Sequence, residues 1–366
     1  MIRKLSMAAL GLVTLAATSG FSSGGPAPSW ELSGTGVTAR FRGLAPVSDK
    51  VAWVAGSGGT ILRTVDGARS WQRIDPPGTA ELQFRDIEAF DARHAVALTI
   101  GEGDQSRLYA TGDGGATWTE TFRNADPAAF YDCVTFLDRR HGLALSDPVA
   151  GKFRILATSD GGRTWHVQPT TGMPDALPGE FAFAASGTCL VSAGPLSAGS
   201  VSAGSVSAGS VSAGHHAWFA TGGADRARIF ATADGGRTWH ATDTGIPSGP
   251  SAGIYSLAFR DPRHGLAVGG DYATPETAPD AAATTHDGGH TWTPSRSEPG
   301  EYRSGATWLS TTSALAVGPT GSDISLDGGR SWKEFDSGSF DAVRCVRGAC
   351  WASGEQGRVA KLTWQR

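Results

Sequence analysis

One octapeptide, [S/T]-x-D-G-G-x-[T/S]-W, occurs six times, and this confines the chain to a repeat architecture. The copies span 64–71, 111–118, 158–165, 232–239, 285–292 and 325–332, with Ala68 the one departure at the second glycine. Asp-Gly-Gly reverses a chain, because glycine takes backbone angles closed to other residues. The carboxylates of Asp66, Asp113, Asp160, Asp234, Asp287 and Asp327 can then accept backbone N–H groups and fix each turn. Trp71, Trp118, Trp165, Trp239, Trp292 and Trp332 are expected to pack against a blade edge. Six equivalent carboxylates on six separate turns cannot form one active site, so the octapeptide reads as scaffold.

A second pattern precedes the octapeptides: an apolar strand, a short turn, then a strand of small residues. It runs through 84–100, 131–147 and 254–270. Each unit therefore holds about four short alternating strands, the content of one propeller blade. Successive octapeptide aspartates lie 47, 47, 74, 53 and 40 residues apart. The long gap contains 192–214, a run built on Ser-Val-Ser-Ala-Gly, which reads as a low-complexity insert between the first two strands of blade four. Residues 30–366, less the insert, supply seven blades of about 45 residues each. The seventh blade, 340–364, has no octapeptide. Ser29-Trp30-Glu31-Leu32 resembles the close of one, so the N-terminal strand is expected to complete that blade and shut the ring. The expected fold is an all-β, seven-bladed β-propeller.

Residues 1–19 read as a signal peptide: Arg3 and Lys4, an apolar stretch, then small residues at Ala17-Thr18-Ser19. Residues 20–29 read as a flexible linker. The apolar stretch is too short for a bilayer anchor. Export makes disulfides possible. Cys345 and Cys350 flank a hairpin turn at Arg347-Gly348 and are expected to pair, while Cys133 and Cys189 leave their pairing open. A net charge of −4 gives no basic excess for nucleic-acid binding. With Gly 51, Pro 19 and only 18% charged residues, the composition is that of a turn-rich β protein.

The octapeptides resemble Asp boxes, the bacterial neuraminidase repeats of sialidases, sortilin-type receptors and several binding propellers. The pattern Phe136-Leu-Asp-Arg-Arg-His-Gly-Leu-Ala-Leu145 and its counterpart Ala258-Phe-Arg-Asp-Pro-Arg-His-Gly-Leu-Ala-Val268 carry a closer likeness. So does Phe41-Arg-Gly-Leu with Val51-Ala-Trp-Val-Ala-Gly-Ser-Gly-Gly-Thr60. Over nearly the whole chain these resemble the photosystem II stability/assembly factor family. That resemblance implies a seven-bladed propeller that escorts membrane-protein assembly; exported relatives occur outside photosynthetic organisms, some labelled oxidoreductases.

Catalytic readings find less support. Phe153-Arg154-Ile155-Leu156 resembles the start of a sialidase arginine motif, yet Arg107, Arg154 and Arg228 each stand six residues before an octapeptide aspartate. Arg154 is thus a repeat position. His94, His141 and His264 recur in one turn of different blades, and His286 and His290 flank a tight turn, so no metal site is expected. No Gly-x-Gly-x-x-Gly, Cys-x-x-Cys or Gly-x-Ser-x-Gly motif is present, and no cofactor is expected.

The loops that enter each inner strand and join the second strand to the third converge on the channel opposite the octapeptides. They carry Arg42, Arg85 with Asp86, Glu102, Tyr131 with Asp132, Asp147, Asp271 with Tyr272, Tyr302 with Arg303, Asp341 and Glu355. Mixed Arg, Tyr and carboxylates suit recognition of a peptide or a glycan. The expectation is an exported, monomeric, non-catalytic binding propeller that takes a protein or peptide partner on its channel face. The alternative is a glycoside hydrolase using channel carboxylates such as Asp132 or Glu355; a third class is an oxidoreductase of unknown cofactor.

Overall fold

The structure, a computed structural model, describes residues 26–193 and 215–365. The stretch 1–19 read as a signal peptide and nearly all of the 192–214 run lie outside the described residues. Seven four-stranded antiparallel sheets make up the fold. Their innermost strands are Phe41–Pro46, Gln83–Ala89, Tyr131–Phe136, Leu190–Ser192, Ala252–Phe259, Gly305–Trp308 and Ala342–Val346. Each touches the next, and the seventh touches the first, so the ring closes. Low-complexity residues enter between Leu190–Ser192 and Ala217–Ala220, the first two strands of blade four.

Closure uses the N-terminal strand. Ala27–Ser33 pairs antiparallel with Val359–Gln365, with Trp30 opposite Leu362. It begins three positions inside the stretch 20–29 read as linker. The Trp30 indole donates from Nε1 to Ser322 Oγ at 3.0 Å and packs on Phe340 and Phe335. The seventh sheet is therefore built from both ends of the described chain.

Apolar residues of neighbouring sheets form the core between blades. Trp53, Ala55 and Ile61 of blade one meet Phe84, Ile87 and Ala97 of blade two in one cluster. Trp53 is fully buried, worth roughly 3 kcal/mol of transfer free energy.

All six octapeptide turns share one hydrogen-bond set. In the third, the Thr158 hydroxyl donates to Asp160 Oδ1 at 2.8 Å. Thr164 donates its N–H to Oδ1 at 3.0 Å and its hydroxyl to Oδ2 at 2.6 Å. The first glycine ties the turn to its own blade: Gly67, Gly114, Gly161, Gly235, Gly288 and Gly328 each donate N–H to a carbonyl in the turn between strands one and two. Ala68 takes φ +70 where the other five turns place glycine. Octapeptides and first turns thus share one face, and strand alternation sends the second-to-third loops to the other.

Both cysteine pairs are bridged. Cys345–Cys350 closes the hairpin in which Val346 faces Ala349. Cys133–Cys189 joins the inner strand of blade three to the residue that enters the inner strand of blade four. Among the described residues no helix is long and apolar enough to cross a membrane.

Candidate functional site at the channel mouth

Four inner strands carry the same irregularity. Register shifts between Phe41 and Gly43, Phe84 and Asp86, Tyr131 and Cys133, and Ile254 and Ser256. The residue left unpaired is Arg42, Arg85, Asp132 and Tyr255 respectively. A bulge re-aims a side chain, and all four line one concavity of about 600 Å³ on the face away from the octapeptides.

The lining changes character around the ring. Blades one and two supply a cationic arc, which Asp341 of blade seven partly neutralises. Arg40 donates to both oxygens of Asp341, at 2.8 and 2.7 Å. Arg42 Nε lies 3.5 Å from Asp341 Oδ1 and makes no hydrogen bond, although its side chain is only 23% exposed. Burial pulls the Arg42 guanidinium below its usual range. Arg85 donates Nη1 to Ala184 O at 3.0 Å. Gly43 lies against the Asp86 backbone, where a Cβ would come within 3.1 Å, so blades one and two approach closely at Arg42 and Arg85.

Blade three supplies an acidic pole. Asp132 is 2% exposed, and its Oδ2 has no hydrogen-bond partner. Asp147, at the end of the next strand, accepts the Ala182 N–H at 2.9 Å. Burial pushes Asp147 up to about 7. Burial, then the charge of Asp147, pushes Asp132 well above the usual carboxylate range.

Blades four to six supply an aromatic wall. Phe183 stacks on Tyr255 with ring centres 3.9 Å apart, and Phe181 and Tyr302 meet these rings edge-on or nearly so. The Tyr255 hydroxyl donates to Ser251 O at 2.6 Å, and Tyr272 stands 56% exposed at the lip. Desolvation raises both Tyr255 and Tyr302, so the phenols stay neutral.

Below the mouth the axis is filled. Arg344 of blade seven donates to Glu88 of blade two and to Gly187 O of blade four. Asp86 accepts the N–H groups of Ile87 and Val134 at 2.8 Å. Ser186, Thr188 and Ser256 hydroxyls form a chain beside them.

Of the residues singled out from the sequence, Arg42, Arg85, Asp132, Asp147, Tyr272, Tyr302 and Asp341 line the concavity. The others lie elsewhere. Asp86 points into the axis, and Tyr131 is packed between blades with Phe136 and Leu156. Arg303 is buried on Asp323 at 2.6 Å, Glu301 and Thr320. Asp271 caps its own loop through the Ala273 N–H, and Glu102 and Glu355 face solvent. Strand alternation explains the first two: Asp86 and Tyr131 each adjoin a true lining residue on an inner strand, and only one of two neighbours can face a given side, whereas Arg303 precedes its strand, Gly305–Trp308. Sequence reasoning missed Arg40, Tyr255 and the Phe181-Ala182-Phe183 loop. Aligning the inner strands at Arg42, Arg85 and Asp132 singles out Tyr255 by position.

The three arginines at the repeat position each have a local partner. Arg154 donates to Asp126 at 2.8 Å, Arg228 to Glu180 at 2.9 Å, and Arg107 pairs with Asp104 and Glu120. His94, His141 and His264 each bond an aspartate three residues earlier, on the octapeptide face. Among the described residues no group of three or more His, Cys, Asp or Glu could hold a metal ion.

No family model and no curated protein matches the chain. Solved structures do. YCF48 from Cyanidioschyzon merolae aligns with a TM-score of 0.59 at 14% identity, over 91% of this chain and 98% of its own. YCF48 bound to a D1 peptide aligns with 0.58 at 12%, over 92% and 95%. The WD40 β-propeller domain of Doa1 aligns with 0.55 at 12%, over 92% and 97%. At such identities the likeness is one of fold: the described residues form a closed ring of the seven-bladed propeller type, structurally similar to YCF48.

Proposed function

We propose that this chain is an exported, non-catalytic propeller that binds an extended peptide or protein segment across the channel mouth, as an assembly or stability factor. The observation that carries the reading is the four aligned bulges, which turn Arg42, Arg85, Asp132 and Tyr255 into one concavity. The Arg42 guanidinium, held to Asp341 only by a 3.5 Å contact, can exchange that contact for a carboxylate of the segment, and the aromatic wall that ends in exposed Tyr272 offers an apolar surface at low entropic cost. The D1 peptide held by the similarly folded YCF48 supports a peptide as ligand. The two disulfides support an oxidising compartment.

The test is selection from a peptide library on immobilised protein. Selected peptides should lose at least tenfold in affinity against Arg42→Ala, with unchanged melting temperature, and against Tyr255→Ala, assayed well below the lowered melting temperature that loss of a buried ring brings. Equal binding to those variants moves the site elsewhere, and failure to select any peptide removes the reading.

A glycoside hydrolase is the second reading, because Asp147, held near 7, could serve as a general acid. Turnover of a fluorogenic glycoside, lost in Asp132→Asn and Asp147→Asn, would establish it. Glu355 is exposed and does not join this pair.

A further inference from the structure

We infer that the acidic end of the mouth, Asp132 with Asp147, is a socket for a cationic side chain, lysine or arginine, of the bound segment. The inference rests on the peptide reading above and specifies its chemistry.

The socket is built and lacks its counter-charge. Asp132 sits on a bulge, is 2% exposed, and keeps Oδ2 without a hydrogen-bond partner. Asp147 faces the same concavity and receives one N–H, from Ala182. The arginines of the mouth are engaged elsewhere: Arg40 and Arg42 with Asp341, and Arg85 with Ala184 O. Among the described residues no Lys, Arg or His forms an ion pair with either carboxylate. Two desolvated acids side by side, neither with an ion-pair partner, are a costly arrangement. An entering ammonium or guanidinium supplies the missing charge and the missing donor together.

The surroundings fit an organic cation. Phe130 and Phe181 line the concavity beside the two acids. Ala182, between Phe181 and Phe183, donates to Asp147, so one hydrogen bond holds the acid against the aromatic wall. Aromatic faces accommodate both the methylene stem of lysine or arginine and its charge. Two carboxylates alone are a poor cage for a bare divalent ion, which takes six or more oxygens. The cationic arc of Arg42 and Arg85 repels a basic side chain, so the segment would bind in one orientation.

The experiment is a positional-scanning library of N-acetylated, C-amidated hexapeptides, measured by fluorescence competition against the full chain at pH 8. Blocked termini leave only side-chain charges. The expected result is one position at which Lys or Arg exceeds norleucine or citrulline by tenfold or more. Asp147→Asn and Asp132→Asn should each abolish that preference, so that on either variant the Lys and Arg peptides bind no better than their norleucine and citrulline counterparts. Peptides that depend on Tyr255 yet bind equally with lysine or norleucine would overturn the socket and leave the peptide reading intact. A preference surviving in both Asn variants would overturn it as well. Hexapeptide binding indifferent to Tyr255→Ala would remove the peptide reading and the socket together.

Discussion

Arg344 in blade seven reaches across the axis to Glu88 in blade two, Nη1 donating to Oε1 over 2.7 Å, while Nη2 donates to Gly187 O in blade four. One guanidinium thus links three blades that share no sheet. Burial pushes Asp86 and Glu88 up, and Arg344 opposes that for both. Removing the cation strands two buried acids. Arg344→Met should cost about 3–5 kcal/mol, read from urea denaturation, and adding Glu88→Gln should restore part of the loss. Wild-type denaturation of Arg344→Met would show that the strut does not hold the ring.

Ala68 occupies a left-handed position, φ +70, that the equivalent Gly115, Gly162, Gly236, Gly289 and Gly329 hold at +84 to +92. An L-residue there is strained by about 1 kcal/mol or more. Ala68→Gly should therefore stabilise the protein by about 0.5–1 kcal/mol after the entropy cost of glycine. A loss of stability would mean that the first turn differs from its five relatives.

Two groups of carboxylates give pH dependence of opposite sign. The Ser70 hydroxyl and N–H hold Asp66 down at about 2, and Thr117 does the same for Asp113. A depressed folded pKa gives stability that is present above about pH 4 and lost as pH falls toward 2. Asp147 is raised to about 7 instead, so its contribution is full below about pH 4 and declines as pH rises through 7. The charged or titratable groups facing it across the mouth are Arg40, Arg42, Arg85, Asp132, Tyr255, Tyr272, Tyr302 and Asp341. Between pH 5 and 8 the wild type should lose stability relative to Asp147→Asn, on the order of 2 kcal/mol. Parallel curves would place the Asp147 carboxyl in contact with solvent.

The disulfides should rank by loop length. Cys133–Cys189 spans 56 residues of sequence separation and Cys345–Cys350 spans 5. Chain entropy gives about 4 and about 2 kcal/mol respectively. Double Cys→Ala variants of each pair, compared by thermal melting, check that order; equal losses would show that loop length does not govern them here.

The ring was legible because the octapeptide repeats as a string, and each copy marks the same corner of a sheet. Trp30 was readable as the closing strand because Ser29-Trp30 copies the last two residues of that string. The mouth was only half legible. Reading Arg85 with Asp86 and Tyr131 with Asp132 named adjacent pairs, whereas a strand turns its neighbours to opposite sides. Which member faces the cavity is decided by a one-residue bulge that no motif announces. The Phe181–Phe183 stretch escaped because blade four's inner strand begins only at Leu190, leaving that loop outside the repeat pattern.

The most direct test of a binding mouth is hydrogen–deuterium exchange of the protein with and without a peptide selected from the library. The account predicts slowed exchange in the segments around Arg42, Arg85, Asp132, Phe181–Phe183 and Tyr255, with the octapeptide turns unchanged. Protection confined to those turns, or spread evenly around the ring, would contradict it.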